Sequence, residues 1–245
     1  MKIKCSGKQI TEVIITTGNA APILWHHLVS ARRGSRKGGD RLDIEGVRKF
    51  TLDWQDQPAR VVPEMGHLNY WRAIFRTQGL VGADRARYGG IGFGNLSCRS
   101  GTGFLITGSQ TGALDTLDPI HFCLVTTWDI AGNHLQACGP TAPSSEALSH
   151  AACYDSHPEI NWVFHIHSPG LWHAAPRLKL PTTRADIAYG TPAMAEAVAQ
   201  LLHGNLTLPC LVHMGGHEDG LIATGSSAED TGNIVERYLA VIGGS

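Results

Sequence analysis

The sequence lacks an apolar run long enough to cross a membrane, and its first residues lack the charged-then-apolar order of a secretory signal. We therefore expect a cytoplasmic protein without membrane attachment. A C-x-x-C pair is also missing, and the six cysteines are scattered along the 245 residues. This spacing predicts reduced, mostly buried thiols, and it indicates neither a disulfide framework nor a zinc–thiolate site.

Net charge is nearly absent as well, with a formal value of -1 at pH 7. Such a balance creates no field that would attract nucleic acid or acidic lipids, so we expect neither as a partner. One local exception is a basic run interleaved with glycine and serine, made up of Arg32, Arg33, Arg36, Lys37 and Arg41. We interpret this run as a solvated segment rather than a phosphate-binding patch.

No low-complexity linker divides the chain, and its length suffices for one domain with a well-buried core. We predict an N-terminal extension of unknown role over residues 1–60, with a short strand at 10–17 and a short helix at 23–29. The main domain is predicted over residues 61–245. Nothing in the extension indicates chemistry.

After residue 64 the apolar residues recur alternately at helical and at strand spacing. Helices are predicted to begin near residues 64, 145, 192 and 227. Strands are predicted at 103–107, 121–128, near 135, at 160–167, 208–214 and 220–224, with a further strand following the glycine-rich turn at 89–94. This order predicts an α/β fold with a largely antiparallel sheet flanked by helices.

Thirteen histidines make any single histidine motif weak evidence. Chance alone gives about 0.7 His-x-His pairs in a chain of this composition. His165 and His167 nevertheless lie two apart on a predicted strand, so their side chains point the same way, as two ligands of one metal must. For the third ligand we favour His217, at a loop-to-strand junction, over His213, inside an apolar strand.

Glu146 follows two serines at the start of a predicted helix, in the block Pro143-Ser144-Ser145-Glu146. The helix dipole favours a carboxylate there, and a first-turn glutamate is most often only a cap. Its importance rises because a glycine turn with Asn95 and a Thr-Gly loop at 107–112 occur in the same chain. Helix starts and glycine turns both present backbone N–H groups to anions.

A series of short blocks between about residues 65 and 241 resembles the class II aldolase/adducin-head family, which includes the fuculose-phosphate and rhamnulose-phosphate aldolases. The blocks are Gly94-Asn95-Leu96-Ser97-Cys98-Arg99, Phe104-Leu105-Ile106-Thr107, Pro143-Ser144-Ser145-Glu146, His150, Tyr154, His165-Ile166-His167, and His217 to Gly225. The resemblance implies a three-layer α/β/α fold with a mainly antiparallel central sheet. It also implies a ring-shaped homotetramer with active sites at subunit interfaces.

The resemblance further assigns roles to residues of this chain. His165, His167 and His217 would hold a divalent metal, usually Zn²⁺, with Mn²⁺ or Fe²⁺ as alternatives. Glu146 would be the fourth ligand or the catalytic acid/base. Five residues match the positions that hold a substrate phosphate or its equivalent: Asn95, Thr111, Gly112, Ser144 and Ser145.

The sequence departs from the family pattern at three places. Thr107 to Gly112 is two residues longer than the usual Thr-Pro-Ser/Thr-Gly anion loop, and Glu218 and Asp219 intervene between His217 and Gly220. The family tyrosine that donates a proton in the fuculose-phosphate enzyme falls on Asp186. Tyr189 or Asp186, from a neighbouring subunit, is therefore the candidate for a second proton carrier.

Together these features predict a metal-dependent lyase of the aldehyde-lyase type, acting on a small hydroxy-carbonyl or sugar-phosphate-like substrate through a metal-stabilised enediolate. The same ligands would also suit a dehydratase, an epimerase, a decarboxylase or an iron(II) oxygenase. A third hypothesis is a non-catalytic module like the adducin head, in which loss of the metal ligands would be expected.

Overall fold

The computed structural model of this protein describes residues 46–203 and 207–244. The first 45 residues of the predicted extension, with its strand, its helix and its basic run, lie outside the described residues. The strand Thr51–Gln55, near the end of that extension, pairs with another strand of the central sheet. The boundary predicted at residue 60 therefore follows the first strand of the sheet.

Ten strands and five α-helices are present in the described part of the chain. The strands are β1 (Thr51–Gln55), β2 (Gly82–Ala83), β3 (Gly92–Phe93), β4 (Asn95–Ser100), β5 (Gly103–Thr107), β6 (Phe122–Asp129), β7 (His134–Cys138), β8 (Trp162–His167), β9 (Cys210–His213) and β10 (Gly220–Gly225). The helices are α1 (Glu64–Thr77), α2 (Ala147–Ser156), α3 (Pro169–Leu178), α4 (Pro192–Leu202) and α5 (Ala228–Gly243). Among these helices, none combines the length and apolar character that a membrane span requires.

Eight strands form the central sheet in the order β1-β7-β6-β5-β4-β8-β10-β9. Only the pair of β1 and β7 is parallel, and the other neighbours are antiparallel. β2 and β3 pair separately. The predicted α/β fold with a mainly antiparallel sheet is therefore confirmed.

The two faces of the sheet are covered by different helices, which gives three layers. Residues of α2 and α4 share one apolar core with Val163 of β8, whereas residues of α1, α3 and α5 share the other with Phe164 and Ile166. This division follows from the strand geometry, because successive side chains point to opposite faces. Both faces are therefore buried, and β8 lies between two apolar layers.

Local sequence signals explain where most helices begin. The side chain of Thr191 accepts a hydrogen bond from the backbone N–H of Met194, and Pro192 is the first residue of α4. Ser227 similarly caps α5 by accepting from Asp230 N–H. Both helices begin where the sequence predicts, near residues 192 and 227, because a capping Ser or Thr and a first-turn proline are typical of helix starts. The helix α3 was not predicted, since the proline at position 176 inside it opposes a helical assignment.

Close packing of α5 on α1 requires a glycine at position 232. A Cβ added to Gly232 would lie 2.2 Å from ring carbons of Trp71, and that indole also contacts Phe75 and Phe164. Substitution Gly232→Ala is therefore expected to lower the free energy of unfolding by about 1–3 kcal/mol through overpacking. Urea-induced unfolding monitored by circular dichroism measures the change.

Gly66 in α1 supplies the matched control, because a Cβ there would meet no atom within 4 Å. Gly66→Ala is expected to raise the free energy of unfolding by about 0.5–1 kcal/mol, since alanine loses less backbone entropy in a helix. Equal changes in the free energy of unfolding for Gly232→Ala and Gly66→Ala would show that contact with Trp71 does not exclude a side chain at position 232.

Candidate metal centre and anion cleft

Three buried imidazoles meet at the end of β8. The ligand atoms of His165, His167 and His217 all lie within 4.8 Å of one another. The two Nε2 atoms of His165 and His167 are 3.1 Å apart, near the about 3.4 Å separation of two nitrogens bound tetrahedrally to zinc at about 2.0–2.1 Å. The geometry and the donor type therefore fit a divalent cation.

The hydrogen bonds of His165 define its tautomer. Its Nδ1–H donates to the carbonyl oxygen of Leu221 at 3.0 Å, which leaves the Nε2 lone pair directed at the cluster. Burial, together with His217, His165 and Arg87, lowers the pKa of His167 well below its usual range. Neutral imidazoles are the form that binds metals, so the site favours the ligand state of His167.

His217 reaches the cluster from the turn between β9 and β10. Its N–H donates to the carbonyl of Met214, and its own carbonyl accepts from Gly220 N–H. A Cβ on Gly220 would lie 2.8 Å from the ring of His217, so only glycine lets β10 begin directly against this imidazole. The alternative third ligand, His213, lies outside the cluster and faces Thr182 Oγ1 at 3.3 Å and the ring of Trp172.

Glu146 occupies the N-cap position of α2, one residue before the first turn in which the sequence analysis put it. Its carboxylate is 1 % exposed and accepts a hydrogen bond from Ser149 Oγ at Oε2, at 2.9 Å. Oε1 lies 3.5 Å from the position that a Cβ on Gly190 would take. Within the described residues, the set of mutually close ligand atoms contains the three imidazoles and no carboxylate.

The two candidate proton carriers occupy different environments. Tyr189 is buried, and its ring stacks on His217 with 4.3 Å between centroids. Asp186 is exposed and forms a bidentate ion pair with Arg184, with distances of 2.9 and 2.6 Å. Within a single chain, the structure thus brings Tyr189 to the imidazoles and leaves Asp186 on the surface.

The five residues predicted to hold an anion line one cleft: Asn95, Thr111, Gly112, Ser144 and Ser145. Asn95 pairs directly with His165 across β4 and β8, which connects the cleft to the imidazoles. Its side-chain oxygen is buried without a hydrogen-bond partner in the described chain, so it is available to a ligand. The cleft therefore combines polar side chains with proximity to the cluster.

Two arginines that the sequence analysis did not single out support the wall of this cleft. The guanidinium of Arg72 donates to the carbonyls of Thr111, Leu114 and Asp115. Arg76 donates to the carbonyl of Gly112. Burial lowers the pKa of Arg72 to about 10, with Arg76 adding to the effect. The sequence offered one signal for this role: Arg72 is a charged residue between the apolar Trp71 and Phe75 of a predicted helix.

Asp219, one of the two residues between His217 and Gly220, has a structural role that the sequence did not reveal. Asp219 accepts a hydrogen bond from the Tyr88 hydroxyl at 2.5 Å, and the Tyr88 ring lies edge-on to His167 with 5.0 Å between centroids. Tyr88 and Asp219 both have a positive φ, 50° and 64° respectively. Non-glycine residues held there are strained, and such strain collects at functional sites.

Removal of the Tyr88 hydroxyl tests this contact. We expect Tyr88→Phe to lower the free energy of unfolding by about 1–3 kcal/mol, because the buried carboxylate of Asp219 loses its closest donor. Urea unfolding at pH 7 gives the value. Tyr70→Phe is the control, since Tyr70 is 61 % exposed and its change is expected to stay within about 0.5 kcal/mol. A loss no larger than the control's would contradict this interpretation.

A second buried polar group lies next to the imidazole cluster. Ser97 Oγ is 2.6 Å from His150 Nδ1 and 2.7 Å from the Tyr154 hydroxyl. Burial lowers the pKa of His150 well below its usual range, with His165 adding to the shift, and burial raises the pKa of Tyr154. Both groups are therefore neutral at pH 7, and they act as packed, hydrogen-bonded core residues.

The buried His150 predicts acid sensitivity of the fold. Because its folded-state pKa is depressed, its contribution to stability is present above the unfolded value of 6.5 and is lost as the pH falls below it. The free energy of unfolding then decreases by up to about 1.4 kcal/mol per pH unit for this group. Urea unfolding of chelator-treated protein between pH 7 and pH 5 measures the slope.

The slope is expected to become shallower in His150→Asn, whose amide retains a polar atom near the position of Nδ1. The exposed His173 provides the comparison, and His173→Asn is expected to keep the wild-type slope. If His150→Asn also kept that slope, another group would be responsible for the acid sensitivity.

Comparisons with known proteins agree with this architecture. Residues 83–238 match the family model of the class II aldolase and adducin N-terminal domain. No curated protein matches the sequence significantly. Three solved structures, at 15–20 % identity, share the fold.

The first is YgbL from Klebsiella pneumoniae, described as a candidate aldolase/epimerase/decarboxylase, with 20 % identity, TM-score 0.54 and coverage of 73 % of this chain and 86 % of that one. The second is L-fuculose-1-phosphate aldolase from Thermus thermophilus, with 20 % identity and a TM-score of 0.51. The match covers 71 % of this chain and 85 % of that one. The third is a sugar-phosphate aldolase from Thermotoga maritima, with 15 % identity and a TM-score of 0.55. The match covers 73 % of this chain and 92 % of that one. With a family model that matches well over half of its residues, the chain belongs to the class II aldolase and adducin N-terminal domain family.

Proposed function

We propose that this protein is a divalent-metal-dependent lyase that cleaves a carbon–carbon bond in a small hydroxy-carbonyl compound bearing an anionic group. The observation that carries the proposal is the cluster of His165, His167 and His217 beside a polar cleft. A non-catalytic module would have no use for three buried imidazoles at ligand distance. Within the family, the three imidazoles therefore favour an enzyme.

The chemistry of the donor set supports Zn²⁺ as the metal, with Mn²⁺ or Fe²⁺ as alternatives, because all three accept neutral imidazole. When bound, the metal would supply Lewis-acid polarisation of the substrate carbonyl or hydroxyl oxygen. His165, His167 and His217 would hold it. The tautomer fixed by Leu221 and the lowered pKa of His167 keep imidazole lone pairs available for that role.

We assign proton transfer to Glu146. Its Oε2 accepts from Ser149, which leaves Oε1 on the side of Gly190 and next to the turn that carries Tyr189. Its burial keeps water away from the carboxylate, and a positioned carboxylate contributes about 10²- to 10⁴-fold to such reactions. A fourth metal ligand is the alternative role for Glu146, and the metal content of Glu146→Gln distinguishes the two roles.

The polar cleft would bind the anionic end of the substrate through Asn95, Thr111, Gly112, Ser144 and Ser145. Tyr189 is our preferred second proton carrier because it stacks on His217. The exposed Asp186 would serve only across an interface with another subunit, in keeping with the tetramer that we expect. Size-exclusion chromatography with light scattering tests that assembly.

Metal analysis and a substrate screen test the proposal. Protein purified without chelators is expected to carry about one divalent ion per chain by mass spectrometry of the metals. Incubation with hydroxy-ketones and sugar phosphates is expected to release an aldehyde, detected by a coupled dehydrogenase. A protein that neither retains nor takes up stoichiometric metal would overturn the enzymatic proposal.

The same samples distinguish other chemistries on this scaffold. Oxygen consumption with Fe²⁺ would indicate an oxygenase, and metal-dependent turnover without aldehyde would indicate a dehydratase, an epimerase or a decarboxylase. Epimerase and decarboxylase activities are the first alternatives to assay, because the Klebsiella structure is described as a candidate for both.

A further inference from the structure

Lys49 reaches the candidate metal centre from outside the segment that matches the family model, residues 83–238. Its ammonium donates a hydrogen bond to the carbonyl oxygen of Tyr189 at 2.9 Å and lies 3.8 Å from the centre of the Tyr189 ring. Tyr189 in turn stacks on His217. A single side chain thus links the N-terminal part of the described chain to a candidate metal ligand.

Gly190 lies close to both Lys49 and Glu146. A Cβ on Gly190 would lie 3.4 Å from Cδ of Lys49 and 3.5 Å from Oε1 of Glu146. Gly190 has a φ of 66°, which favours glycine. The absence of a side chain at this position therefore lets the lysine stem and the carboxylate approach the same short turn.

The backbone that carries Lys49 is anchored independently of the site. Asn133, in the turn between β6 and β7, donates its side-chain N–H to the carbonyl of Lys49 at 2.8 Å, and its backbone carbonyl accepts from Thr51 N–H at 2.9 Å. The strand β1 then follows in parallel with β7. Three residues earlier, Gly46 lines the anion cleft together with Gln110. Residues 46–50 therefore border both parts of the candidate site.

We propose that Lys49 is a positioning residue of the metal centre, which fixes the Tyr189–Gly190 turn against His217 and Glu146. The inference rests on the proposed function, because it assigns Lys49 a purpose only if the imidazoles bind a metal. The ammonium fixes the turn by two attractions, a charge-assisted hydrogen bond to a carbonyl and a cation–π contact with the ring. The stacked ring then restricts the orientation of the His217 imidazole.

Such a role predicts a defined effect on metal binding. Residues that orient a metal ligand typically change metal affinity by about 10- to 100-fold when they are removed. Methionine at position 49 would keep most of the stem packing but lose the hydrogen bond and the charge. Arginine would keep a positive charge and N–H donors but would present them as a longer, planar group, so it retains the attractions only in part.

The test uses Co²⁺ as the probe, since its visible absorption reports coordination geometry. Wild type, Lys49→Met, Lys49→Arg and the control Lys179→Met are titrated with Co²⁺ as full-length, folded proteins, with a competing chromophoric chelator to measure affinity. Lys179 is the other lysine of the described chain, and it is exposed at the end of α3. Circular dichroism confirms that each variant is folded at the temperature of the titration.

The expected result is a loss of about 10- to 100-fold in Co²⁺ affinity with a changed absorption spectrum for Lys49→Met. Lys179→Met is expected to resemble the wild type, and Lys49→Arg is expected to lose less Co²⁺ affinity than Lys49→Met because it keeps a charged donor. A Lys49→Met protein with wild-type affinity and spectrum would overturn the inference, even if its thermal stability were lower. A wild type that binds no Co²⁺, Zn²⁺, Mn²⁺ or Fe²⁺ would instead overturn the proposed function, so the two failures are distinguishable.

Discussion

Replacement of His165 by alanine is expected to abolish stoichiometric metal binding. The residue supplies an Nε2 atom 3.1 Å from that of His167, and its Nδ1–H is already engaged by Leu221. Loss of an orienting partner alone costs about 10- to 100-fold in metal affinity, so loss of a ligand is expected to cost at least about 100-fold. Competition titrations with Zn²⁺ and metal analysis after gel filtration measure the effect, and His167→Ala is expected to behave alike.

The matched control is His213→Ala, which removes another buried imidazole outside the cluster. It is expected to retain metal, and circular dichroism verifies that both variants are folded. Metal loss in His213→Ala with retention in His165→Ala would reverse the assignment of the ligands. His217→Ala, measured beside these variants, tests the preference for His217 over His213 as the third ligand.

Glu146→Gln is expected to retain the metal but to lose turnover by about 10²- to 10⁴-fold, the usual contribution of a general acid or base. The glutamine amide is nearly isosteric with the carboxylate and can still accept from Ser149 Oγ through its oxygen. It cannot, however, take up a proton at neutral pH. The variant is assayed with the substrate that the aldehyde screen identifies, and its metal content is measured on the same sample.

Glu196→Gln, on the exposed face of α4, is the control for removal of one carboxylate and is expected to leave turnover and metal content unchanged. If Glu146→Gln lost its metal in parallel with its activity, Glu146 would instead act as a fourth ligand. Full activity in this variant would contradict both roles.

Much of the fold followed from local signals. Helices were predicted to begin near residues 192 and 227, and Thr191 and Ser227 cap helices at these places. The strand alternation that predicted His165 and His167 on one face holds along β8, with Val163 in one apolar core and Phe164 and Ile166 in the other. These predictions succeeded because caps and strand alternation depend on residues that are close in sequence.

Other features could not be predicted, because they depend on contacts between distant residues. The strand β1 lies in the predicted extension, where the sequence shows no clear strand pattern. It forms by pairing with β7, with Thr51 opposite His134. Lys49 contacts Tyr189, 140 positions along the chain. Tyr88 and Asp219, separated by 131 positions, meet beside His167. No spacing within the sequence carries such information.

The fold class, the family and the set of residues from which a metal site could be built were predictable from the amino-acid sequence alone. Neighbouring residues encode those features through caps, alternation and short motifs. The packing of distant elements was needed to show that the favoured His217 meets His165 and His167, that Tyr189 rather than Asp186 stacks at the cluster, and that Lys49 reaches it. The physical reason is that a side chain's position beyond its own element is fixed by the packing of the layers and the course of the turns, which the whole chain sets together.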